Sequence, residues 1–435
     1  MRPSGYTVLL SALLCLFALA SAFSEGLLVL FKGTAAVCAG LAVLDGILVA
    51  RAAPPDVSRK LKYSMALDVW TMVSLEFENR ENRLIRIRIH DHFPAGFEAR
   101  NQPLDLIVPA RMTARSSYRV KPLHRGDMTF AGTDFAMLSP MGLWLKKIFV
   151  PNTDTVKVLP DFNEIRKYSI LASDNRLSRL GIRRKQRRGE GNDFHQLREY
   201  RAGDGLRQIH WNATSKYRRL ISKEYQDERD QQVVFMLDCG RRMRHRDSRG
   251  RSHLDRVLNA FLLLAYAASL QDDAVGFMTF AGEDRWFPPR KGGDTVRRIL
   301  NQVYDIRSSP EAPDYMDAAS RLMALQKRRS LVVVLTGTRD EDYENLPAAV
   351  QLLKKKHLTI LADIREEILD ETIAKSVTDF KGALEFSAVH GYLENRRRIH
   401  RVFRHQGIMA LDLTARSLPS ALVNEYLMIK AAGRL

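Results

Sequence analysis

Two short runs hold the side chains best placed for chemistry. The apolar stretch "VVFMLD" (233–238) ends in Asp238 and is followed at once by Cys239, Gly240, Arg241 and Arg242. The stretch "SLVVVLTG" (330–337) ends in Thr336 and Gly337, with Thr338 next. A carboxylate, two guanidinium groups and two hydroxyls at the ends of apolar strands can bind an anion or support acid–base chemistry at the carboxylate. They can also close on one another as a guanidinium–carboxylate pair. The pair between Arg242 and Asp238 is the expected outcome.

A third constellation lies just upstream, in "GNDFHQLREYRAGDGLRQIHWNATSKYRRLISKEYQDERD" (191–230). Gly203-Asp204-Gly205 reads as a turn, because Gly tolerates positive φ and Asp bonds its own backbone. Arg207, His210, Trp211 and Asn212 then start a helix or tight turn, with Trp211 placed to anchor against the neighbouring sheet. Arg198, Arg201, Arg218, Arg219 and Lys223 alternate with Glu199, Asp204, Glu224, Asp227 and Glu228. Mixed signs favour internal salt bridges over a stripe for phosphates. The segment is expected to pack on the first strand of the following region and form the rim of its crevice, with direct contact to a partner as the alternative.

Other patterns carry less. His90-Asp91-His92 puts two imidazoles on one strand face without a third ligand, and a strand-end turn is the commoner explanation. "GEGNDF" is a lone Gly-x-Gly without the Lys of a phosphate-binding loop. No Gly-x-Ser-x-Gly elbow occurs, and Cys15, Cys38 and Cys239 are too few for a disulfide framework or a Cys-based zinc site.

The elements that must position these residues follow from periodicity. The runs at 233–238, 274–280, 331–336 and 358–364 read as buried parallel strands, separated by helical stretches such as "LDRVLNAFLLLAYAASLQ" (254–271). Residues 231–435 are thus expected to form an α/β domain with a doubly wound, mostly parallel sheet and its crevice at the carboxyl ends of the strands. Residues 60–160 show short alternating runs; in "RLIRIRIHD" the Ile at 85, 87 and 89 face one way and Arg86 and Arg88 the other. An immunoglobulin-like β-sandwich is expected there. Residues 161–230 lack a core period, and "RRKQRRGEGND" reads as a solvated basic linker.

The first 52 residues set the compartment. "TVLLSALLCLFALASAF" (7–23) and "LLVLFKGTAAVCAGLAVLDGILVA" (27–50) are each about long enough to cross a hydrocarbon core of ~30 Å, and a turn at 24–26 makes them a transmembrane helix hairpin. The alternative is a signal peptide with a cleavage site at Ala20-Ser21-Ala22. Arg2, Arg51, Arg59, Lys60 and Lys62 flank the hairpin, so both ends should face the cytoplasm. Lys32 can snorkel; Asp45 must face the partner helix or sit near the interface. Over all 435 residues the formal charge is +18, for which attraction to an anionic inner leaflet is sufficient reason.

From Asp193 onward, the motifs "DFHQLREYRAGDGLRQIHWNATSKYRRL", "LDRVLNAFLLLAYAASLQDDAVGFMTF", "PPRKGG", "DYMDAA" and "VNEYLMIKAAGRL" occur in an order that strongly resembles the bacterial MoxR-associated proteins catalogued as domain of unknown function 58. The resemblance covers essentially the chain after residue 60. It implies a membrane hairpin and β-sandwich preceding a von Willebrand factor A-like domain. In that domain the first strand ordinarily ends in Asp-x-Ser-x-Ser, completed by a Thr and a second Asp to hold magnesium. Only Asp238 carries over: Gly240 and Arg242 stand at the serine positions, and Gly337 falls where the later Asp is expected. No metal or other cofactor is therefore expected.

The function expected is a non-catalytic, membrane-anchored adaptor or scaffold at the bacterial inner membrane, with its N-terminus and large C-terminal region in the cytoplasm. By resemblance its partner is a MoxR-type AAA+ ATPase, in a chaperone-like system that assembles or matures other membrane or envelope proteins. Asp238, Gly240, Arg241, Arg242, Thr336 and Thr338 form the expected binding crevice, and Arg201, Asp204, Arg207, His210 and Trp211 its rim. Two rival readings are an enzyme for an anionic substrate, with Asp238 or His210 as acid–base group, and nucleic-acid binding through the basic linker.

Overall fold

The computed structural model describes residues 1–22, 24–161, 193–201, 205–226, 231–247, 250–343 and 345–434. It separates into two compact units, Met1–Leu159 and Pro160–Leu435. The basic segment at 181–192 and Asp204 lie outside the described residues.

The first unit begins with β1 (Arg2–Pro3), α1 (Gly5–Ser21) and α2 (Glu25–Ala50). Helix α2 is long and apolar enough to cross a membrane, whereas α1 is a shorter apolar helix of 17 residues. Eleven further strands follow. They are β2 (Asp56–Lys60), β3 (Ser64–Ala66), β4 (Thr71–Glu78), β5 (Ile85–His92), β6 (Phe97–Arg100), β7 (Leu104–Val108), β8 (Thr113–Pro122), β9 (Gly126–Phe130), β10 (Gly132–Leu138), β11 (Trp144–Val150) and β12 (Asp154–Leu159). They form sheets in the orders β1-β11-β10-β5-β7, β2-β4-β8-β6 and β3-β12-β9. Alternation decides what each face does: Ile85, Ile87 and Ile89 are buried while Arg86 and Arg88 are exposed. Phe77 of β4 meets Phe135 of β10 edge to face at 5.9 Å, so the two larger sheets share one core.

Within that core Arg59 is enclosed. Its Nη2 reaches the Asp91 carboxylate at 2.5 Å, which also accepts from Thr133 Oγ1 at 3.0 Å and from the Tyr118 hydroxyl. Arg59 therefore does not count among the free basic residues beside the hairpin, and Asp91 faces inward, away from His90 and His92. A buried ion pair persists only when its remaining donors and acceptors are filled, and here Asp154 and the Asn152 carbonyl take Nη1, each at 2.7 Å.

Asp45 is resolved in the same way. It is fully buried on α2, and it accepts from Ser139 Oγ at 2.5 Å, the Met141 N–H at 3.0 Å and the Leu143 N–H at 3.2 Å. Trp144 Nε1 donates to the Ala42 carbonyl at 2.7 Å, and Lys146 Nζ donates to the Ala50 carbonyl at 2.9 Å near the helix end. The start of α1 docks on the same turn, through the Ser4 N–H to Leu143 O at 2.8 Å. The part of α2 ahead of this collar, Glu25 to Leu41, is about 25 Å long, as is α1. Asp45 therefore belongs to the collar beneath the helices.

The second unit opens with β13 (Asp193–Glu199), α3 (Trp211–Tyr217) and β14 (Ile221–Gln226). The strands pair antiparallel as a separate two-stranded sheet, although this stretch shows no core period in the sequence. Then come β15 (Gln232–Asp238), α4 (His253–Ser269), β16 (Ala274–Phe280), β17 (Trp286–Arg290), α5 (Thr295–Val303), α6 (Tyr315–Leu325), β18 (Leu331–Thr336) and α7 (Leu346–Lys354). The chain closes with β19 (Leu358–Arg365), α8 (Glu367–Ala374), α9 (Phe380–His405), β20 (Met409–Thr414) and α10 (Leu418–Ala431). The six-stranded sheet runs β17-β16-β15-β18-β19-β20, parallel except for the antiparallel edge strand β17. Pro288 and Pro289 lack N–H donors and are tolerated at that edge. The order places β15 and β18 side by side although their first paired residues, Val233 and Leu331, lie 98 positions apart in the chain.

Both sheet faces are covered. Val234, Met236, Val332 and Val334 pack with Ala318 and Leu322 of α6 and Ala349 and Val350 of α7. On the other face Phe235 lies 4.6 Å from Phe261 of α4, ring to ring. Strands buried on both faces must be apolar throughout, which is why 233–238 and 331–336 are legible as continuous runs.

Candidate functional site

Asp238 ends the central strand β15 and is fully buried. Its Oδ1 accepts the Gly240 N–H at 2.7 Å and its Oδ2 accepts the Thr336 hydroxyl at 2.6 Å. The Thr336 hydrogen is thereby committed, so the Tyr315 hydroxyl, 2.8 Å away, donates to the Thr336 oxygen. The result is a relay from Tyr315 through Thr336 to Asp238. Burial pushes the Asp238 carboxyl up from its ordinary value, against the pull of the Thr336 and Gly240 hydrogen bonds.

Gly240 closes the other side. A Cβ there would lie 2.8 Å from the Glu311 carbonyl oxygen and 3.1 Å from Ala281 Cβ, so no serine fits without moving backbone. The loop that bears Glu311 is held over the strand end, with the Arg241 N–H donating to Glu311 O at 2.8 Å and the Ser309 N–H to Cys239 O at 2.7 Å. A magnesium ion needs several free oxygens in octahedral array. Here both Asp238 oxygens are engaged, and position 240 has no room for a hydroxyl-bearing side chain. The residues present do not fit that ion.

The Arg242–Asp238 pair does not form. Arg242 turns to the short 3-10 helix Asp340–Asp342, where it engages Asp342 and Glu341 and donates to the Gly337 carbonyl at 3.4 Å. Arg241 shares Glu341 at 2.7 Å. The physical reason is competition. Asp238 is already satisfied by uncharged donors and held toward its neutral form, whereas the exposed Glu341 and the buried Asp342 together offer carboxylates that reward an arginine fork. The two guanidinium groups hold the Glu341 carboxyl below its ordinary range. Arg339 extends the chain of pairs to Glu366 and to the Tyr392 hydroxyl.

A second carboxylate, which the sequence reading did not single out, ends β19. Asp363 is fully buried, accepting from the Thr338 N–H at 2.8 Å, Thr338 Oγ1 at 2.5 Å and His400 Nε2 at 2.8 Å. Arg396 approaches it at 2.7 Å and reaches Asp412 at 2.8 Å. Burial alone raises the Asp363 carboxyl, but Arg396 and His400 outweigh it and hold the group below its ordinary value. The signal was present as a carboxylate inside "LTILADI" and as Arg396 and His400 four residues apart on one helix. Thus Asp238, Thr336 and Thr338 all lie at the strand ends but are enclosed, whereas Arg241 and Glu341 reach the surface and Arg242 stays mostly covered between them.

The rim residues diverge. His210 caps α3: its Nδ1 accepts the Ala213 N–H at 3.0 Å and its own N–H donates to Ile221 O at 2.8 Å. Ile209, Ala213, Ile221 and Ser222 are buried beneath it. Trp211 is not an anchor on a sheet; it is 65% exposed, and Leu206 is 75% exposed beside it in the chain's preceding 3-10 turn. Tyr217 and Leu220 are exposed as well. Ile209, Ala213 and Ile221 are the apolar side chains buried among the described residues here, and the larger groups stand outside. Arg201 is exposed, and Arg207 lies in the 3-10 turn with its side chain outside the described residues.

These features define Pro160–Leu435 as a mixed α/β unit with closed strand-end carboxylates and an apolar hairpin head. Residues 196–406 match the family model described as "Protein of unknown function DUF58". The match is narrower than the whole chain after residue 60. No curated protein matches. Among solved structures, a mutant of Salmonella alpha-2-macroglobulin is 15% identical over 25% of this chain and 7% of its own, with a TM-score of 0.20. The FixG-related protein from Vibrio parahaemolyticus is 8% identical over 25% and 98%, with a TM-score of 0.18. The ASH / PapD-like domain of human CEP192 is 14% identical over 24% and 84%, also at 0.18. These similarities are too slight to define a shared fold.

Proposed function

We propose that the protein is a membrane-anchored adaptor facing the cytoplasm, with a von Willebrand factor A-like domain whose contact surface is the hairpin head around Leu206, Trp211 and Tyr217. The observation that carries this reading is the exposure of Trp211 and Leu206 beside the buried Ile209, Ala213 and Ile221. Exposed aromatic and large aliphatic side chains are the usual anchors of protein contacts. The family resemblance supports a MoxR-type AAA+ ATPase as the partner in this reading, and the exposed Arg241–Glu341 pair offers polar contacts of both signs. Helices α1 and α2 serve as the anchor, inserted as a hairpin with both ends in the cytoplasm. The enzyme reading would need solvent access to Asp238, which the Glu311 loop and Gly240 deny it in this conformation.

The test uses the full chain in mild detergent and the purified MoxR-type ATPase of the same organism. Leu206→Ser together with Trp211→Ala should weaken binding by at least tenfold while leaving the unfolding temperature in place. Unchanged binding in that variant, or no binding by the unmodified chain with any nucleotide, overturns the proposal.

A further inference from the structure

A cavity of about 800 Å³ lies in the first unit, between the first turns of α1 and the outer face of the β11-β10-β5-β7 sheet. Its wall is Tyr6 and Leu9, both exposed and both at the beginning of the apolar helix. Its floor is apolar at Leu138, Leu145 and Ile107. Two arginines edge the floor. Arg88 is closed by a two-point pair with Asp105, at 2.7 and 3.2 Å, whereas Arg86, paired in register with Ile107, has no acidic partner among the described residues.

We infer that this cavity holds an anionic phospholipid of the surrounding bilayer, its phosphate on Arg86 and the upper part of one acyl chain against Leu9, Tyr6 and Leu138. The inference rests on the reading of α1 and α2 as membrane helices. If α1 enters the bilayer from Gly5, Tyr6 and Leu9 stand at the head-group boundary, and a cavity opening there meets lipid before it meets any soluble ligand. The chemistry is divided as a lipid requires. Apolar side chains lie on the helix side, and on the cytoplasmic side Arg86 offers forked donors that no acid among the described residues engages, a match for a phosphate. Arg88 is neutralised in place, so specificity for charge rests on Arg86.

The experiment reconstitutes the full chain in nanodiscs of equal parts phosphatidylcholine and phosphatidylglycerol. It then measures the lipid retained through a detergent wash, with carbonate extraction of native membranes run in parallel. The unmodified chain should retain phosphatidylglycerol about fivefold over phosphatidylcholine, the effect of one well-placed cation. Arg86→Glu should abolish the preference, Leu9→Trp should reduce total retained lipid by filling the wall, and Arg115→Glu, on the other large sheet, should change neither. A chain that resists carbonate yet shows no preference, or an Arg86→Glu form that keeps it, overturns the lipid site alone. Release of the unmodified chain by carbonate overturns the membrane reading and the site with it.

Discussion

Thr336 on β18 gives its hydroxyl hydrogen to Asp238 on the adjacent strand β15 at 2.6 Å, joining two residues 98 positions apart in the chain. That single contact turns the acidic end of a central strand from a prospective binding group into part of the core.

Removing the hydroxyl tests the relay. Thr336→Val leaves Tyr315 without its acceptor and Asp238 without one donor, and it should cost about 1–3 kcal/mol in denaturant unfolding. Asp238→Asn keeps an acceptor in a group that burial already pushes toward its neutral form, so it should cost less than Asp238→Ala. Because the folded value lies above the unfolded one, Asp238 lowers stability as pH rises through that interval, and the Asn form should lose this dependence. Equal costs for Asn and Ala would show that the hydrogen bonds do not matter.

The Asp363 cluster should behave as a buried ion pair. Arg396→Met alone strands a charged carboxylate inside the domain and should destabilise by roughly 3–5 kcal/mol. Combining it with Asp363→Asn should recover a large part of that loss, a coupling read from a double-mutant cycle. Additive costs would place the two residues in separate interactions.

Acid should weaken the second unit before the carboxylates titrate. His253 is buried against His245, ring centroids 4.8 Å apart, and burial with that neighbour lowers its pKa to about 4. The unfolded chain binds the proton first, so stability is complete above about 6.5 and falls as pH drops toward 4, by ~3 kcal/mol in all. His253→Phe should flatten this part of the profile, leaving the smaller slope expected from His357, whose pKa burial also lowers. Stability curves for the two forms that run parallel between pH 7 and 4 would remove His253 as the cause.

The collar under the helices rests on Asp45. Asp45→Ala leaves the Met141 and Leu143 N–H groups and the Ser139 hydroxyl without their acceptor and should cost about 2–4 kcal/mol. Asp45→Asn, which keeps one acceptor oxygen, should cost less. Protease cleavage near 139–143 in detergent reports the loss directly; resistance equal to the unmodified chain would mean that Trp144 and Lys146 alone hold the junction.

Local patterning in the chain specifies the elements whose burial is periodic. The runs at 233–238, 274–280, 331–336 and 358–364 are strands because both of their faces are covered. Ile85, Ile87 and Ile89 fall on one face because strand geometry alternates, and α2 is apolar over a membrane's length. Each of these depends on neighbours within a dozen residues. The hairpin β13–β14 was hidden because its strands carry mixed charge and enclose only a few apolar groups. The chemistry of the strand ends was decided by the tertiary structure alone. Arg242 could be assigned to Asp238, four residues away, until folding brought Asp342 to it from 100 positions on. Asp363 became a charged core residue only when α9 laid Arg396 and His400 against it. Trp211 stands 65% exposed while the smaller Ile209, Ala213 and Ile221 are buried. Short-range patterning fixes which residues are buried, but a charge chooses its partner by distance and desolvation in three dimensions, and neither quantity is written in the local sequence.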